Sequence, residues 1–506
     1  MKSTIDAQKE QERILNPRSV AVIGASRVEG KVGHVVLKNI IDGGYKGKVY
    51  PINPSADSIL GLKCYPKVSE IGEEVDMAVI VVPAERVLEV AEDCGSAGVK
   101  ILVVISAGFK EIGVEGAKRE AELVSLARKY GMRVLGPNCL GYINTSIGLN
   151  ASFASLMPPR GHISFISQSG ALLSALIDKS PVEGIAFSKV VSLGNKSDLD
   201  EIDYMRLLAN DPETKVIVLY LEGINKGEEF IRVAREVSVK KPIIALKSGV
   251  TEAGARAASS HTGSMAGSEV AYATAFRQFG VIKAENLTEL FDSAICFESQ
   301  PIPQYGNVVI VTNAGGPGIL AADACGRLGL RLAELGAEID KKLREVLPPA
   351  ASTHNPIDVI GDAKADRYEA VLKVLSARED LDSFVIILSP QAMTDPDDVA
   401  KLLVDFKTKN PKKAIVTSFI GGLKTANAIS ILRKGGIPNY DTPERAVKAL
   451  GSLIKYIDIK QKQERLLKEG YPRYPMDREL IRDILAKAKE EGRKMLMPNE
   501  VCEILR

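Results

Sequence analysis

Three stretches of the chain share one design, an apolar run of strand length that ends in a turn of small residues. The stretches are Ser19–Ser26, His162–Gly170 and Asn307–Gly318, and a helical pattern follows each of them. Their starts lie about 145 residues apart, which is an ordinary domain length. Strands that alternate with helices build parallel sheets covered by helices on both faces. The chain is therefore predicted to be an α/β protein with three parallel-sheet domains, at residues 1–150, 151–300 and 301–458.

The composition changes after Asp458, where the sequence becomes charged and keeps a helical pattern before the short proline-rich link Tyr471–Pro475. Two amphipathic helices are predicted between Asp477 and Arg506. We expect residues 459–506 to form a linker and a short helical tail that follows the three sheet domains.

The bulk composition excludes several classes of protein. The 506 residues carry a formal net charge of +2 and are 45% hydrophobic and 26% charged, which is an ordinary globular mixture. So even a balance predicts no basic surface for nucleic acid, and no apolar run has the length of a membrane span. The six cysteines are scattered without a CxxC pair. This pattern argues against a zinc site and favours a reducing, cytoplasmic setting.

The first turn bears on the nucleotide that the first domain would bind. A Rossmann-like order of strands and helices makes a nicotinamide oxidoreductase one alternative. However, the turn Gly24–Gly30 departs from the GxGxxG pattern, and the second strand ends in Asn53 where NAD sites carry an acid. Arg27, Lys31 and Lys48 are basic instead. Their charge suits a ligand with an additional phosphate group better than it suits NAD.

Two of the turns are predicted to hold phosphate. Ser167–Gly170 leads into a helix in the second domain, and Asn313–Gly318 leads into one in the third. The first N–H groups of a helix have no partner within it, and the helix dipole adds positive charge at that end. Pro317 suits the first turn of the second helix, where a missing N–H costs little. We therefore expect an anion at these helix starts.

One histidine, His261, stands in a long stretch of small residues, Lys247–Gly267, between a predicted strand and a predicted helix. Glycine, alanine, serine and threonine cannot build a core of their own, so we expect this segment to move. A moving segment with one nucleophilic side chain is what a carrier of a chemical group requires. The chain has only four histidines. The other three, His34, His162 and His354, are predicted to be structural or solvated.

The segment around His261 resembles the phosphohistidine loop of the NDP-forming acyl-CoA synthetases, the superfamily that includes succinyl-CoA synthetase. The resemblance extends over residues 10–460 and is closest to the alpha subunits of ADP-forming acetyl-CoA synthetases. It implies that an acyl group passes between CoA and phosphate, and that His261 then takes the phosphoryl group from the acyl phosphate. The reversible net reaction that it implies converts acyl-CoA, phosphate and ADP into carboxylate, ATP and CoA.

The resemblance also implies roles for particular residues of this chain. Glu222 matches the glutamate that hydrogen-bonds the catalytic imidazole, and Gly194 and Asn195 match the loop beside the acyl-phosphate pocket. The residues that match the phosphate-binding helix starts are Gln168, Ser169 and Gly170 in the second domain and Gly315, Gly316 and Gly318 in the third. The residues that match the CoA contacts are Gly24, Ser26, Lys31, Asn53, Pro54, Val82, Pro83, Ser106, Ala107, Gly108, Asn138 and Cys139.

Two positions depart from succinyl-CoA synthetases. Ser55 stands where those enzymes have a lysine, and Ala171–Ser174 lacks their tyrosine. The second difference favours another carboxylic acid, and short-chain acids such as acetate are the family default. The chain has no GxxxxGK[ST] motif, and the family places its nucleotide site in an ATP-grasp half. ADP and Mg²⁺ are therefore expected on a partner subunit or domain, in an α2β2 assembly, and no metal site is expected on this chain.

A non-catalytic CoA-binding regulator with the same fold is the alternative within this resemblance. His261 and Glu222 argue against it, because a regulator needs neither a phosphate acceptor nor a group that orients one. The tail at residues 459–506 resembles the opening of the ATP-grasp half of the family. An ordinary docking helix is the other interpretation of that tail.

Overall fold

The computed structural model describes residues 12–251, 253–254, 269–470 and 477–505. It divides the chain into two compact units, the first ending at Gln463 and the second beginning at Glu464. Three sheets with their helices make up the first unit. The prediction of an α/β protein with three sheet-based domains is confirmed.

The first sheet consists of short, buried, apolar strands with helices on both of its faces. Its elements are β1 (Ser19–Ile23), α1 (Val32–Asp42), β2 (Lys48–Ile52), β3 (Ser58–Ile59), β4 (Leu62–Lys63), β5 (Met77–Ile80), α2 (Ala84–Ser96), β6 (Ile101–Val104), α3 (Val114–Tyr130) and β7 (Arg133–Leu135). The sheet is parallel in the order β2-β1-β5-β6-β7, and β3 and β4 form a separate two-residue hairpin. All residues of β5 and β6 are buried, as expected where helices cover both faces of a sheet.

The second sheet has seven strands and carries the predicted phosphate turn. Its elements are β8 (Gly141–Asn144), β9 (Leu149–Ser152), β10 (Arg160–Ser167), α4 (Gly170–Glu183), β11 (Phe187–Ser192), α5 (Glu201–Ala209), β12 (Val216–Leu221), α6 (Gly227–Ser238), β13 (Ile243–Lys247), α7 (Glu269–Phe279), β14 (Val281–Lys283) and α8 (Leu287–Ser299). Its order is β14-β13-β12-β10-β11-β8-β9. The strands from β10 to β14 are parallel, whereas β8 and β9 are an antiparallel edge hairpin that the sequence did not predict.

The hairpin β8–β9 fixes the first domain against the second. It spans the predicted boundary at residue 150 and pairs with β11 of the second sheet. Its other side contacts α1 of the first domain, where the Asn39 amide Nδ2 donates to the backbone oxygens of Ser152 and Ala154, each at 2.9 Å. Tyr142 also donates through its hydroxyl to the oxygen of Leu15 at 2.7 Å. The hairpin therefore connects the first two domains through strand pairing on one side and side-chain hydrogen bonds on the other.

The third sheet repeats the strand–turn–helix design and is docked on α8. Its elements are β15 (Val308–Thr312), α9 (Gly315–Leu328), α10 (Gly336–Val346), β16 (Ile357–Asp358), α11 (Ala365–Ser376), β17 (Ser383–Leu388), α12 (Pro396–Lys409), β18 (Ala414–Phe419), α13 (Ala426–Lys434) and α14 (Pro443–Glu469). It is parallel in the order β16-β15-β17-β18. Arg445 of α14 donates through Nε and Nη2 to the two carboxylate oxygens of Asp292 in α8, each at 2.9 Å.

The second unit is helical, as predicted. It contains the two short amphipathic helices α15 (Arg478–Glu490) and α16 (Pro498–Leu505). Asp477 caps α15 by accepting hydrogen bonds from the backbone N–H groups of Glu479 and Leu480. In neither unit is a helix of the described residues both long enough and apolar enough to cross a membrane.

Candidate active site

The carboxyl ends of the first two sheets open into one cleft of about 1240 Å³. The first domain contributes the turns after β1, β5, β6 and β7, and the second domain contributes the turns after β10, β11 and β12. Ligands of parallel α/β sheets bind at this end of the strands. A cleft between two such ends is therefore the candidate active site.

Most of the residues predicted from the sequence lie along this cleft. From the CoA prediction it contains Gly24, Ser26, Lys31, Val82, Pro83, Ser106, Ala107, Asn138 and Cys139. From the catalytic and phosphate predictions it contains Gln168, Ser169, Gly170, Gly194, Asn195 and Glu222. Within the described part of the chain, Asn53, Pro54 and Gly108 are not part of its lining, and Gly315, Gly316 and Gly318 lie at the third sheet instead.

The start of α1 is built to approach a ligand closely. Gly24 has a φ of +88°, and a Cβ atom on Gly33 would lie 2.0 Å from the backbone oxygen of Gly24. Only glycine at position 33 therefore allows the helix to begin this near to the turn. No side chain caps α1, and Lys31, the residue before it, is exposed at the cleft. Helix N–H groups and an ammonium group together suit a phosphate ester.

The side chain of Asn53 hydrogen-bonds to the backbone of this turn. Its amide Nδ2 donates to the oxygen of Ala25 at 2.8 Å, and its Oδ1 accepts from the N–H of Ser55 at 2.8 Å. The side chain thus joins the turn after β1 to the turn after β2. Arg27 strengthens the same junction, since its Nη2 donates to the oxygen of Ser55 at 3.0 Å.

Cys139 forms a closed part of the cleft wall. It is 4% exposed, and its Sγ donates to the backbone oxygen of Val104 at 3.3 Å. Burial raises the pKa of this thiol to about 12. The thiolate is the reactive form of cysteine, so Cys139 is a packing residue at the cleft rather than a nucleophile.

The rate of alkylation should differ between Cys139, which is buried, and Cys502, which is exposed in the second unit. With a pKa near 12, only about one Cys139 thiol in ten thousand is ionised at pH 8. We expect iodoacetamide at pH 8 to modify Cys502 rapidly and Cys139 only after denaturation, as measured by peptide mass spectrometry. Equal modification of both thiols in the folded protein would contradict this assignment.

Glu222 is positioned by the side chain of Gln168. Glu222 follows β12 directly, is half-buried and lines the cleft. The Oε1 atom of Gln168 accepts from the N–H groups of Glu222 at 2.7 Å and Gly223 at 3.0 Å, and its Nε2 donates to the oxygen of Gly223 at 2.9 Å. The N–H of Gln168 itself donates to Tyr220. Gln168 therefore shapes the turn that carries Glu222.

The starts of α4 and α9 are built alike. Before α4, the N–H of Ser169 donates to Oγ of Ser167 at 3.1 Å, and before α9 the N–H of Ala314 donates to Oγ1 of Thr312 at 3.0 Å. Asn313 takes the place of Gln168, since its amide exchanges two hydrogen bonds with the backbone of Ser389, at 2.8 and 2.9 Å. Gly315, Gly316 and Gly318 begin a helix that no side chain caps. The two starts share these contacts but differ in their caps, since Oγ of Ser169 accepts from the N–H of Leu172 at 3.3 Å and Ala314 offers no such group.

The loop after β11 is held by charged residues that the sequence did not single out. Asn195 donates through Nδ2 to Glu111 at 2.6 Å and to Glu120 at 2.8 Å, and a Cβ atom on Gly194 would lie 2.3 Å from the oxygen of Pro137. Lys110 and Glu111 also line the cleft. Their position directly after a buried strand and its small-residue turn is the only signal of them in the sequence.

His261 lies outside the described residues. Of the other histidines, His34 and His162 hydrogen-bond through Nδ1 to the oxygens of Ser26 at 3.0 Å and Glu213 at 2.9 Å, and His354 is exposed. These environments agree with their predicted structural or solvated roles. Among the residues that the structure describes, no group of three His, Cys, Asp or Glu side chains could hold a metal ion.

Three family models match the three sheet domains in turn. They describe a CoA binding domain at residues 18–145, a succinyl-CoA ligase like flavodoxin domain at 160–297 and a ligase-CoA domain at 308–462. The first match confirms that the first domain belongs with CoA-binding rather than nicotinamide-binding proteins, as its turn and Asn53 predicted.

Whole-chain relatives agree with these matches. The chain is 46% identical over 485 residues to acetate–CoA ligase [ADP-forming] I of Archaeoglobus fulgidus, covering 96% of this chain and 69% of the relative. It is 44% identical to acetate–CoA ligase [ADP-forming] I subunit alpha of Pyrococcus furiosus, covering 90% and 99%. The solved acetyl-coenzyme A synthetase 1 of Ca. Korarchaeum cryptofilum, in complex with phosphate and ADP, superposes with a TM-score of 0.87 at 44% identity, covering 90% and 98%. At such identity over most of its length, the chain belongs to the NDP-forming acyl-CoA synthetase superfamily.

Proposed function

We propose that the chain is the CoA-ligase part of an ADP-forming acyl-CoA synthetase of the acetate–CoA ligase type. It converts acyl-CoA, phosphate and ADP reversibly into carboxylate, ATP and CoA. The observation that carries this proposal is one cleft that contains nine of the twelve predicted CoA residues together with Glu222 and the start of α4. The relatives named as ADP-forming acetate–CoA ligases support the reaction type.

The cleft suits CoA in size and chemistry. Its volume of about 1240 Å³ exceeds the range of roughly 300–1,000 Å³ for ordinary small-ligand pockets. The uncapped start of α1 and the exposed Lys31 suit the phosphate groups at one end. Asn138, Cys139 and the start of α4 also line the cleft, and we place the thioester beside them, next to bound phosphate.

The first chemical step uses the start of α4. A phosphate oxygen attacks the thioester carbonyl carbon, the C–S bond breaks, and CoA leaves as a thiolate that takes up a proton. The N–H groups of Gly170 and Ala171, at the first turn of α4, have no partner within the helix and are the proposed donors to phosphate. Fixed donors of this kind stabilise the negative charge that develops during acyl and phosphoryl transfer.

The second step moves phosphorus onto the protein. A ring nitrogen of His261 attacks the phosphorus of the acyl phosphate, and the P–O bond to the acyl group breaks so that the carboxylate leaves with the electron pair. Glu222 accepts a hydrogen bond from the other ring nitrogen and offsets the positive charge on the ring. We assign these roles to His261 and Glu222 from the family motif, and the position of Glu222 in the cleft supports the second.

The third step belongs to a partner. The Pyrococcus furiosus relative is named a subunit alpha, which supports a second subunit for this chain. We propose that an ATP-grasp subunit or domain binds ADP with Mg²⁺, takes the phosphoryl group from His261, and assembles with this chain as α2β2. A short-chain carboxylic acid such as acetate is the proposed substrate.

Incubation with ³²P-labelled acetyl phosphate tests this function. The chain is expected to acquire acid-labile, alkali-stable label, and mass spectrometry should place it on His261. The CoA-binding regulator makes the opposite prediction. A folded chain that binds CoA and takes up no label would contradict the enzyme and favour the regulator.

A further inference from the structure

The turn Glu222–Gly223 is held by side chains at all four of its backbone polar groups. Gln168 accepts from both N–H groups, as described above. The ammonium of Lys247 donates to the backbone oxygen of Glu222 at 2.9 Å, and that of Lys196 donates to the oxygen of Gly223 at 2.6 Å. Buried backbone polar groups need partners, and here three side chains from distant parts of the sequence supply them for one dipeptide.

The three side chains come from three different strand ends. Gln168 follows β10, Lys196 follows β11, and Lys247 is the last residue of β13. Since the sheet has the order β13-β12-β10-β11, these residues hold the end of β12 from both sides. Lys196 is anchored in turn by Glu201, with Nζ 3.1 and 3.2 Å from the two carboxylate oxygens. Glu201 is 1% exposed, so this ion pair has little freedom to move.

Lys247 has the most informative surroundings. It is 5% exposed and, besides Glu222, it donates to the backbone oxygen of Ser248. Its Nζ lies 4.8 Å from the centre of the Tyr272 ring in α7. Burial lowers the pKa of Lys247, and the nearby charge of Glu222 opposes that shift. The ammonium therefore joins Glu222 to described residues on both sides of the segment that contains His261.

We propose that Lys247 is a positioning residue for the carboxylate of Glu222. A charged donor makes a stronger hydrogen bond to the Glu222 carbonyl than a neutral one, and it fixes the main chain from which the carboxylate projects. Lys247 is not among the described residues that line the cleft, so it acts through the backbone of Glu222 rather than on the substrate. The inference rests on the proposed function, in which Glu222 orients His261.

Lys247→Met tests this role because it keeps the apolar stem and removes the ammonium group. We expect the single-turnover rate of His261 phosphorylation by labelled acetyl phosphate to fall between about 10- and 100-fold, as small misplacements of a catalytic group do. CoA affinity should not change, and Lys247→Arg should restore much of the rate. Lys240→Met is the matched control, since Lys240 is exposed and its ammonium group donates only to Oδ1 of Asn210 among the contacts described.

A double-mutant cycle separates positioning from general stability. In a Glu222→Ala background, Lys247→Met is expected to cause no further loss of rate, because the group that it positions is gone. A wild-type rate in the single variant, or an equal fractional loss in both backgrounds, would overturn the proposal. Lys247→Gln carries the same cycle if the methionine variant does not fold. A wild-type chain without label overturns the proposed function and this inference together, so the two failures are distinguishable.

Discussion

His261→Ala is expected to abolish phosphorylation of the chain by acetyl phosphate. With its partner present, turnover should fall by about five to six orders of magnitude, which is the scale of loss when a covalent nucleophile is removed. We expect no other histidine to replace it, because His34 and His162 bond through Nδ1 to the backbone oxygens of Ser26 and Glu213, and His354 is exposed in the third domain. The proposed CoA contacts all belong to the first domain, so CoA affinity should persist.

The control for this variant is His354→Ala, which removes an exposed imidazole of the third domain. It should label at the wild-type rate, as followed by ³²P incorporation and by the mass of the modified peptide. Residual label on the His261→Ala protein, at an amino acid other than histidine, would show that the phosphate acceptor is misassigned. Loss of CoA binding in the same protein would show that the segment around His261 supports the cleft.

The parts of the fold that were predictable depend on residues close together in sequence. An apolar run such as Val308–Thr312, followed by a glycine-rich turn, has few alternatives to a buried strand that leads into a helix. The same holds for Ser19–Ile23 and its turn. The carboxyl ends of parallel strands lie at one edge of the sheet. Residues that directly follow predicted strands could therefore be expected to lie together, and most of them line one cleft.

The hairpin β8–β9 was missed because each of its strands has only four residues, too few for the apolar and polar alternation of Leu149–Ser152 to stand out. Asn144, Asn150 and Ser152 are buried but polar, and they are satisfied by contacts that only the folded chain supplies. The Asn144 amide donates to Leu15, far away in sequence, and Ser152 donates through its hydroxyl to Asn150 at 2.6 Å. Polar residues at buried strand positions therefore weakened the local signal, and their partners become visible only in the folded chain.

The role of Gln168 was also beyond the sequence. The pattern Ser-Gln-Ser-Gly indicated a helix start, and phosphate was the natural ligand for such a start. In the folded chain the Gln168 amide instead contacts Glu222 and Gly223, more than 50 positions away. Whether such a side chain contacts the ligand or a neighbouring turn depends on the order of the strands in the sheet. No local motif specifies that order.

Glu222→Gln is expected to slow phosphorylation of His261 by about 10³- to 10⁴-fold, the scale seen when the acid that orients a catalytic imidazole loses its charge. The amide retains the size of the carboxylate but can present the wrong tautomer of the ring and cannot offset its positive charge. Since Gln168 and Lys247 hold the backbone of Glu222 and Lys196 holds that of Gly223, the substituted side chain should occupy the same place. The loss should therefore be chemical rather than conformational.

Single-turnover labelling with acetyl phosphate measures this effect, and a CoA titration measures the integrity of the cleft. Glu228→Gln is the matched control, because Glu228 is exposed at the start of α6 on the same chain segment and the substitution is identical. It should label at the wild-type rate. If Glu222→Gln labels as fast as this control, the carboxylate does not orient the imidazole. If it loses CoA affinity together with rate, Glu222 maintains the shape of the cleft instead, and the catalytic acid must be sought elsewhere.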